Sequence, residues 1–351
     1  MMSSSYEIAL DERTQRGELW ATIEGDRLLC YACGHRCKIS AGRRGICKVR
    51  FNVGGELRVP HGYVAALQCD PIEKKPFFHV TPGSTALTFG MLGCDYHCGY
   101  CQNWNTSQAL RDAEALGSFR EVGSAELVSM ALRYSASMVT SSYNEPLITA
   151  EWAVEVFRRA KEHGLRTSFV SNGNATEEAL NYLQPWLDCY KVDLKSMRDK
   201  NYRQLGGRLS VVLDTIRRLH QLGVWLEVVT LVVPGFNDSE EELREAASFI
   251  ASVSKDIPWH VTAFHPDYKM RDRSWTQARQ LLKAVEIGKE AGLNFVYAGN
   301  LTGAVGEYES TFCPQCGTLL VAREGYRILE NHLVGRETCP RCSRRVPGIW
   351  N

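Results

Sequence analysis

Short apolar runs alternate with longer amphipathic stretches between residues 81 and 305. The apolar runs are rich in Val, Leu, Thr and aromatic residues, a composition typical of buried strands. They predict strands at Ala86–Met91, Met138–Ser142, Thr167–Ser171, Tyr190–Leu194, Leu226–Val233, His260–Phe264 and Phe295–Tyr297.

Most of the stretches between these strands have helical periodicity. In one of them Trp152, Val156 and Ala160 share a face, and Glu155 and Arg159 lie on the other side. The pattern predicts helices over about 124–135, 149–163, 176–185, 208–222, 238–253 and 275–291. Because alternating strands and helices form parallel sheets with right-handed crossovers, we expect an α/β fold, a full or partial (β/α) barrel.

Composition and charge narrow the function only slightly. The chain is 44% hydrophobic and 23% charged, with a net charge of +1, so no overall field attracts it to nucleic acid or to a membrane. No segment approaches the roughly 20 apolar residues of a membrane span. The polar start, Met1–Tyr6, has no signal-peptide core. We therefore expect a cytoplasmic protein with no membrane partner.

Cysteine is unusually frequent, with 13 residues in the chain. Eleven fall into three clusters, whereas Cys69 and Cys189 stand apart and are expected to be small buried side chains. Clustered cysteines in a reducing compartment indicate metal ligands rather than disulfides. The clusters divide the chain into a Cys-rich segment (1–80), the predicted barrel (81–305) and a C-terminal segment (306–351).

The central cluster, Cys94-x₃-Cys98-x₂-Cys101, follows the first predicted barrel strand. Full ligation of a [4Fe-4S] cluster takes four cysteines, so three would leave one iron open to another ligand. A zinc site completed by His97 is the alternative. It is less favoured, because the loop follows a barrel strand rather than forming a compact knuckle.

The motif resembles the signature of the radical S-adenosylmethionine (SAM) superfamily. More narrowly, Cys101-Gln102-Asn103-Trp104, the segment Pro71–Pro76 and Tyr143-Asn144-Glu145-Pro146 resemble radical SAM enzymes of the AmmeMemoRadiSam system, relatives of the pyruvate formate-lyase activating enzymes. The likeness covers nearly all of residues 26–305.

The resemblance implies that a cluster on Cys94, Cys98 and Cys101 cleaves SAM reductively to a 5′-deoxyadenosyl radical, which abstracts hydrogen from a substrate. It also implies a one-electron reductant such as flavodoxin or ferredoxin. The substrate is unknown, with a protein suggested by the activating enzymes and RNA or a small metabolite as alternatives. A different class, a non-catalytic zinc-binding interaction module, has no need of a three-cysteine loop on a barrel strand.

The same resemblance suggests roles for other residues. Asn144 and Glu145 occupy the place where activating enzymes bind the SAM amino group, although the glycines of that motif are absent, and Ser171 and Asn172 match a further SAM contact. The weaker catalytic candidates are Asp193, Lys195 and His265. Each has an ordinary alternative: a solvated carboxylate, a turn, an ion pair inside the barrel or a structural histidine.

The two outer clusters each supply four cysteines. Cys30, Cys33, Cys37 and Cys47 would close a site for zinc or for a second [4Fe-4S] cluster, and spacing alone leaves both open, with zinc preferred. The two C-P-x-C pairs at Cys313, Cys316, Cys339 and Cys342 predict a zinc ribbon. Such ribbons bind proteins or nucleic acid, or cap a domain. Arg341, Arg344 and Arg345 permit nucleic-acid contact without establishing it.

Overall fold

The structure is a computed structural model that describes residues 8–351. The polar start Met1–Tyr6, from which the absence of an export signal was expected, lies outside the described residues. Before the central sheet the strands are short, at Thr14–Arg16 (β1), Trp20–Glu24 (β2), Arg27–Cys30 (β3), Lys38–Ile39 (β4), Phe51–Val53 (β5), Glu56–Pro60 (β6) and Tyr63–Val64 (β7). They form antiparallel sheets of order β2-β3-β4 and β1-β6-β5, and β7 pairs with Arg120–Glu121 (β10).

An eight-stranded sheet lies at the centre of the molecule. Its strands are Ala66–Pro71 (β8), Thr85–Gly90 (β9), Met138–Ser141 (β11), Arg166–Ser171 (β12), Cys189–Asp193 (β13), Trp225–Val232 (β14), Trp259–Ala263 (β15) and Val296–Gly299 (β16). The strands after β8 run parallel and follow chain order, whereas β8 pairs antiparallel with β9. The predicted α/β fold with a parallel sheet is confirmed.

The sheet is open rather than closed. β8 and β16 lie at its two edges, and within residues 8–351 neither edge pairs with another strand of the sheet beyond its single neighbour. The full barrel that the sequence allowed is therefore not shown. The loop with the central cysteines follows β9, and the Asn-Glu-Pro segment follows β11. Because parallel strands end on the same side of a sheet, both lie at the carboxyl ends of the strands.

The helices lie at Trp104–Ser107 (α1), Ser124–Arg133 (α2), Ala150–Glu162 (α3), Glu177–Leu183 (α4), Asp199–Leu205 (α5), Leu209–Gln221 (α6), Glu240–Val253 (α7) and Ala278–Glu290 (α8). In α3, Trp152, Val156 and Ala160 are buried as their spacing predicts. The Thr176 hydroxyl caps α4 by accepting the Ala179 N–H at 3.1 Å. None of the helices in residues 8–351 is both long and apolar enough for a membrane span.

A buried ion pair joins the N-terminal segment to α3. The Arg50 guanidinium donates to both oxygens of Glu151 at 2.7 Å and to the Ile148 carbonyl at 3.1 Å. The Glu151 carboxylate also accepts the backbone N–H groups of Glu18 and Leu19. The two charged side chains are only 2% and 0% exposed. Arg50 follows Cys47 by three residues, so this buried ion pair anchors the end of the first cysteine cluster to α3.

Residues 306–351 pack against the central sheet near β16. This segment forms an antiparallel sheet of Thr311–Phe312 (β17), Leu319–Glu324 (β18) and Arg327–Asn331 (β19). Leu320, Val321 and Trp350 share one apolar core with Phe295 and Tyr297. The C-terminal segment thus packs against the sheet beside its edge strand β16.

His79 connects three parts of this region. Its Nδ1 lies 2.7 Å from the Pro347 carbonyl, and its Nε2 lies 2.6 Å from the Tyr297 hydroxyl, which in turn contacts Thr311. Because a carbonyl only accepts, Nδ1 carries the proton and Nε2 accepts from the tyrosine. Burial lowers the pKa of His79 to about 4, although the nearby Glu227 carboxylate acts in the opposite direction. The contacts of the C-terminal segment therefore require a neutral imidazole.

We expect this neutral histidine to make stability depend on pH. The unfolded chain takes up a proton at His79 as the pH falls below 6.5, whereas the folded chain does so only near 4. The free energy of unfolding should therefore fall by about 2 kcal/mol between pH 7 and pH 5 through this residue. Chemical unfolding of the wild type and of His79→Gln at both pH values measures the difference. His332→Gln, at an exposed histidine, should leave the pH slope unchanged, and an equal slope in His79→Gln would contradict the assignment.

Candidate active site

A loop at the carboxyl end of β9 carries the three central cysteines: Cys94, Cys98 and Cys101. The loop is fixed by hydrogen bonds of its backbone. The His97 N–H donates to the Leu205 carbonyl at the end of α5 at 2.9 Å. The Arg111 guanidinium donates to the Tyr96 carbonyl, also at 2.9 Å. These bonds hold the loop that carries the three thiols against α5 and Arg111.

The spacing of these sulfur atoms is wide. In residues 8–351, the C-terminal cysteines are the only group of three or more His, Cys, Asp or Glu ligand atoms that all lie within 4.8 Å of one another. A single tetrahedral ion with metal–sulfur distances of about 2.3 Å would hold its sulfur atoms about 3.8 Å apart. The central thiols, and His97 with them, are therefore not arranged around one zinc ion.

A cavity of about 400 Å³ opens beside the loop. Cys98 and Cys101 form part of its wall. Charged and hydrogen-bonding groups around them come from Lys75, Tyr143, Lys191, Asp193, Lys195 and His260. The volume lies in the range of sites that hold small molecules. Burial raises the pKa of Cys98 to about 12, so ligation of a metal group would displace a proton from this thiol.

Glu145 organises the backbone next to the loop. Its carboxylate accepts the Ser171 hydroxyl at 2.7 Å and the backbone N–H groups of Asn172 at 2.7 Å and Leu147 at 3.1 Å. Burial raises the pKa of Glu145 to about 8, and the charge of Asp95 adds to the shift. The structure therefore brings three of the predicted SAM contacts into one hydrogen-bonded network.

Comparison with known proteins identifies the family. The sequence profile of the radical SAM superfamily matches residues 89–250. An uncharacterised protein of Methanocaldococcus jannaschii is 33% identical over 327 residues, which span 92% of this chain and 96% of that protein. This chain belongs to the radical SAM superfamily.

Activating enzymes are among the relatives of this radical SAM protein. The pyruvate formate-lyase-activating enzyme of Clostridium pasteurianum is 26% identical over 215 residues, or 54% of this chain and 84% of that enzyme. A crystal structure of a domain of the pyruvate formate-lyase-activating enzyme from Bacteroides vulgatus matches 47% of this chain and 100% of that one, with 18% identity and a TM-score of 0.42. The predicted relationship to activating enzymes is confirmed by sequence.

Membership of the radical SAM superfamily implies a [4Fe-4S] cluster and SAM. The loop fits this cofactor, because its sulfur atoms are too widely spaced for one ion and it supplies three thiols rather than four. Cys98 and Cys101 also border the cavity, where a fourth ligand would enter. The three cysteines therefore fit a [4Fe-4S] cluster, and their role as its ligands stays a prediction.

The predicted SAM contacts lie beside the cavity rather than in its wall. Asn144 accepts the Met91 N–H at 3.0 Å and so fixes the start of the cysteine loop. The cavity wall contains Ser142 and Tyr143, the two residues that precede Asn144. Direct contact of SAM with Asn144, Glu145, Ser171 and Asn172 stays a prediction.

Asp193 and Lys195 do face the cavity of the radical SAM site, as part of an ion-pair group. Asp193 accepts from Lys195 at 3.1 Å and also from Lys191. Burial acts to raise the pKa of Asp193, but the two ammonium groups outweigh it and lower the pKa to about 2. Sequence reasoning missed Lys191, although its position two residues before Asp193 puts it on the same face of β13.

His265 lies at the edge of the loop. Its Nε2 is 2.9 Å from the Gln102 Nε2, next to Cys101. Its ring centroid is 5.6 Å from that of Trp275. The structure thus places it against the loop through Gln102, and its catalytic role stays a prediction.

Two further polar residues were missed from the sequence. Asp95 is fully buried and accepts the side-chain amides of Asn172 and Asn174 at 2.7 and 2.8 Å. Lys75 donates to Asp70 at 3.0 Å and to the Tyr143 hydroxyl at 3.3 Å in the cavity wall. The sequence did offer a signal for each residue: Asp95 directly follows Cys94, and Lys75 lies in the Pro71–Pro76 segment that carries part of the family resemblance.

The four C-terminal cysteines are arranged for one metal ion. Cys313 and Cys342 have sulfur atoms 3.5 Å apart, and those of Cys316 and Cys339 are 3.6 Å apart. All four sulfur atoms lie within 4.8 Å of one another. Hydrogen bonds with Thr318 lower the pKa of Cys316 to about 6, so this thiol is available as a thiolate at neutral pH. The cluster could bind a metal ion, and zinc stays the predicted one.

Gly90, the last residue of β9, is required by close backbone approach. A Cβ atom there would lie 2.4 Å from the Ser142 carbonyl oxygen. We expect Gly90→Ala to lower the free energy of unfolding by about 1–3 kcal/mol and to reduce iron loading, because the cysteine loop begins at the next residue. Chemical unfolding and iron content measure both effects. Gly123→Ala, where a Cβ would meet nothing within 4 Å, is the control, and equal behaviour of the two variants would contradict the steric argument.

Proposed function

We propose that this protein is a radical SAM enzyme of the AmmeMemoRadiSam-system type that cleaves SAM reductively and acts on a substrate in the cavity beside Cys98 and Cys101. When bound, the cluster and SAM supply a 5′-deoxyadenosyl radical that abstracts a hydrogen atom. The observation that carries the proposal is the opening of the three-thiol loop, through Cys98 and Cys101, onto a cavity of about 400 Å³, which lies in the size range of small-molecule sites. A purely structural metal site would have no use for that opening.

The chain itself would bind and orient the reactants. Cys94, Cys98 and Cys101 hold the cluster, and the bonds of His97 and Arg111 described above keep the loop in place. The ammonium groups of Lys75 and Lys195 lie in the cavity wall and offer donors to carboxylate groups.

A protein is the substrate class that we propose. Support comes from the relationship to pyruvate formate-lyase-activating enzymes, which are named for the protein that they activate. The C-terminal segment contributes Tyr326 to the cavity wall, so a zinc ribbon there would lie where a protein substrate approaches. We further propose that the enzyme works in the cytoplasm, with flavodoxin or ferredoxin as the electron donor.

The test is an anaerobic assay of reconstituted protein with reductant and SAM. We expect the wild type to form 5′-deoxyadenosine and methionine, and the electron paramagnetic resonance spectrum of its reduced cluster to change when SAM is added. Cys98→Ala should give neither result. Cys69→Ala, at a cysteine outside the three clusters, should behave as the wild type. A wild-type cluster that loads iron but does not respond spectroscopically to SAM would overturn the proposal.

A further inference from the structure

The geometry of the first cysteine cluster bears on the choice between zinc and a second [4Fe-4S] cluster, which the sequence left open. We infer that Cys30, Cys33, Cys37 and Cys47 hold a second [4Fe-4S] cluster rather than a zinc ion. The inference rests on the spacing and surroundings of these four thiols. It does not depend on whether the enzyme cleaves SAM.

The four cysteines lie on neighbouring segments inside the protein. Cys30, Cys33 and Cys47 are buried, and Cys37 is half-buried. The Cys30 N–H donates to the Cys37 carbonyl at 2.9 Å, and the N–H of Ile46, the residue before Cys47, lies 3.5 Å from the Cys37 sulfur. All four are free thiols, so this part of the chain offers four candidate metal ligands close together.

The spacing excludes a compact single-ion site. No three of these four sulfur atoms lie within 4.8 Å of one another, whereas a zinc ion would hold them about 3.8 Å apart. The C-terminal cysteines provide an internal standard, because their sulfur pairs are 3.5 and 3.6 Å apart. The thiols at Cys94, Cys98 and Cys101, where the family requires an iron–sulfur cluster, are also widely spaced. Neither the first cluster nor the central loop therefore has the close sulfur spacing of the C-terminal cysteines.

The first cluster also lies next to that loop. Cys33 forms a backbone bridge with Ala175, and the Gly34 N–H donates to the Asn174 carbonyl at 2.7 Å. The Asn174 side chain in turn donates to Asp95, the neighbour of Cys94. A chain of direct contacts thus links the two groups of thiols. Because four thiolates leave no open iron, the second cluster would serve electron transfer to the first rather than bind a substrate.

The experiment removes the other iron site. In the full chain, Cys94, Cys98 and Cys101 are all replaced by alanine, and the protein is reconstituted anaerobically with iron, sulfide and zinc together. We expect about four iron and four sulfide per chain, with about one zinc, and an electron paramagnetic resonance signal after reduction. The wild type should hold about eight iron and one zinc.

Three results would contradict the assignment of an iron–sulfur cluster to this site. A triple-alanine variant that binds about two zinc and no iron would show that the first cluster is a zinc site and would overturn the inference. A wild type with about four iron and two zinc would do the same without relying on the variant's folding. Cys37→Ala, which removes the half-buried ligand, should lower the wild-type iron content, and iron content equal to the wild type would also contradict the assignment.

Discussion

Replacing Arg50 by methionine is expected to lower the free energy of unfolding by about 3–5 kcal/mol. The guanidinium donates to both oxygens of Glu151, and neither side chain is more than 2% exposed. Methionine would fill much of the space but leave the Glu151 carboxylate buried without its counter-charge. The penalty of that uncompensated charge, rather than the attraction lost, sets the size of the effect. Chemical unfolding at matched metal loading measures it.

A second substitution tests the cause. In the double variant Arg50→Met with Glu151→Gln, a neutral amide replaces the stranded carboxylate, and its oxygen can still accept the N–H groups of Glu18 and Leu19 that Glu151 accepts now. We expect the double variant to recover most of the lost stability. Arg217→Ala breaks an exposed pair with Asp214 and should change stability by less than about 1 kcal/mol. If the double variant were no more stable than Arg50→Met alone, the charge argument would fail.

The parts of the fold that follow from local patterns were predictable. Thr85–Gly90 lies within one residue of the predicted Ala86–Met91, because a short apolar run between turns is sufficient to define a buried strand. Ala150–Glu162 matches the helix predicted over 149–163, because its apolar residues recur at helical spacing. The loop of Cys94, Cys98 and Cys101 was predicted as a metal site because closely spaced cysteines are typical of metal ligands, and the structure places this loop at the carboxyl end of β9. Local periodicity thus predicted the sheet, and local chemistry predicted the candidate site.

Features that depend on distant contacts were not predictable. Ala66–Pro71 became an antiparallel edge strand through pairing with β9, which its own sequence does not specify. Whether the sheet closes depends on what covers its edges, and the packing of residues 306–351 near β16 has no sequence signal. Asp95 looked like an ordinary loop residue until the fold brought Asn172 and Asn174 to it. Burial and long-range pairing decide these cases.

The C-terminal cysteines make a second large effect testable. The segment that contains them is short, and Phe78, Phe295 and Tyr297 from outside the segment form part of its apolar core. A core of this size needs additional stabilisation from a metal or a cross-link, because a small unit buries too little apolar surface to fold securely. Metal binding would supply it, since apparent binding free energies of structural zinc are about 10–16 kcal/mol in zinc-finger peptides.

We therefore expect the variant Cys316→Ser with Cys342→Ser to lose one zinc per chain and to become sensitive to proteolysis within residues 306–351. Both cysteines are only partly buried, so the loss would come from the metal site rather than from packing. Unfolding of this segment would uncover Phe295 and Tyr297, and the central sheet should lose stability as well, by about 2 kcal/mol for each large side chain exposed. Zinc content, limited proteolysis and chemical unfolding measure these effects, with Cys69→Ser as control. Resistance to protease equal to the wild type in a zinc-free variant would show that apolar contacts with the sheet alone hold the segment in place.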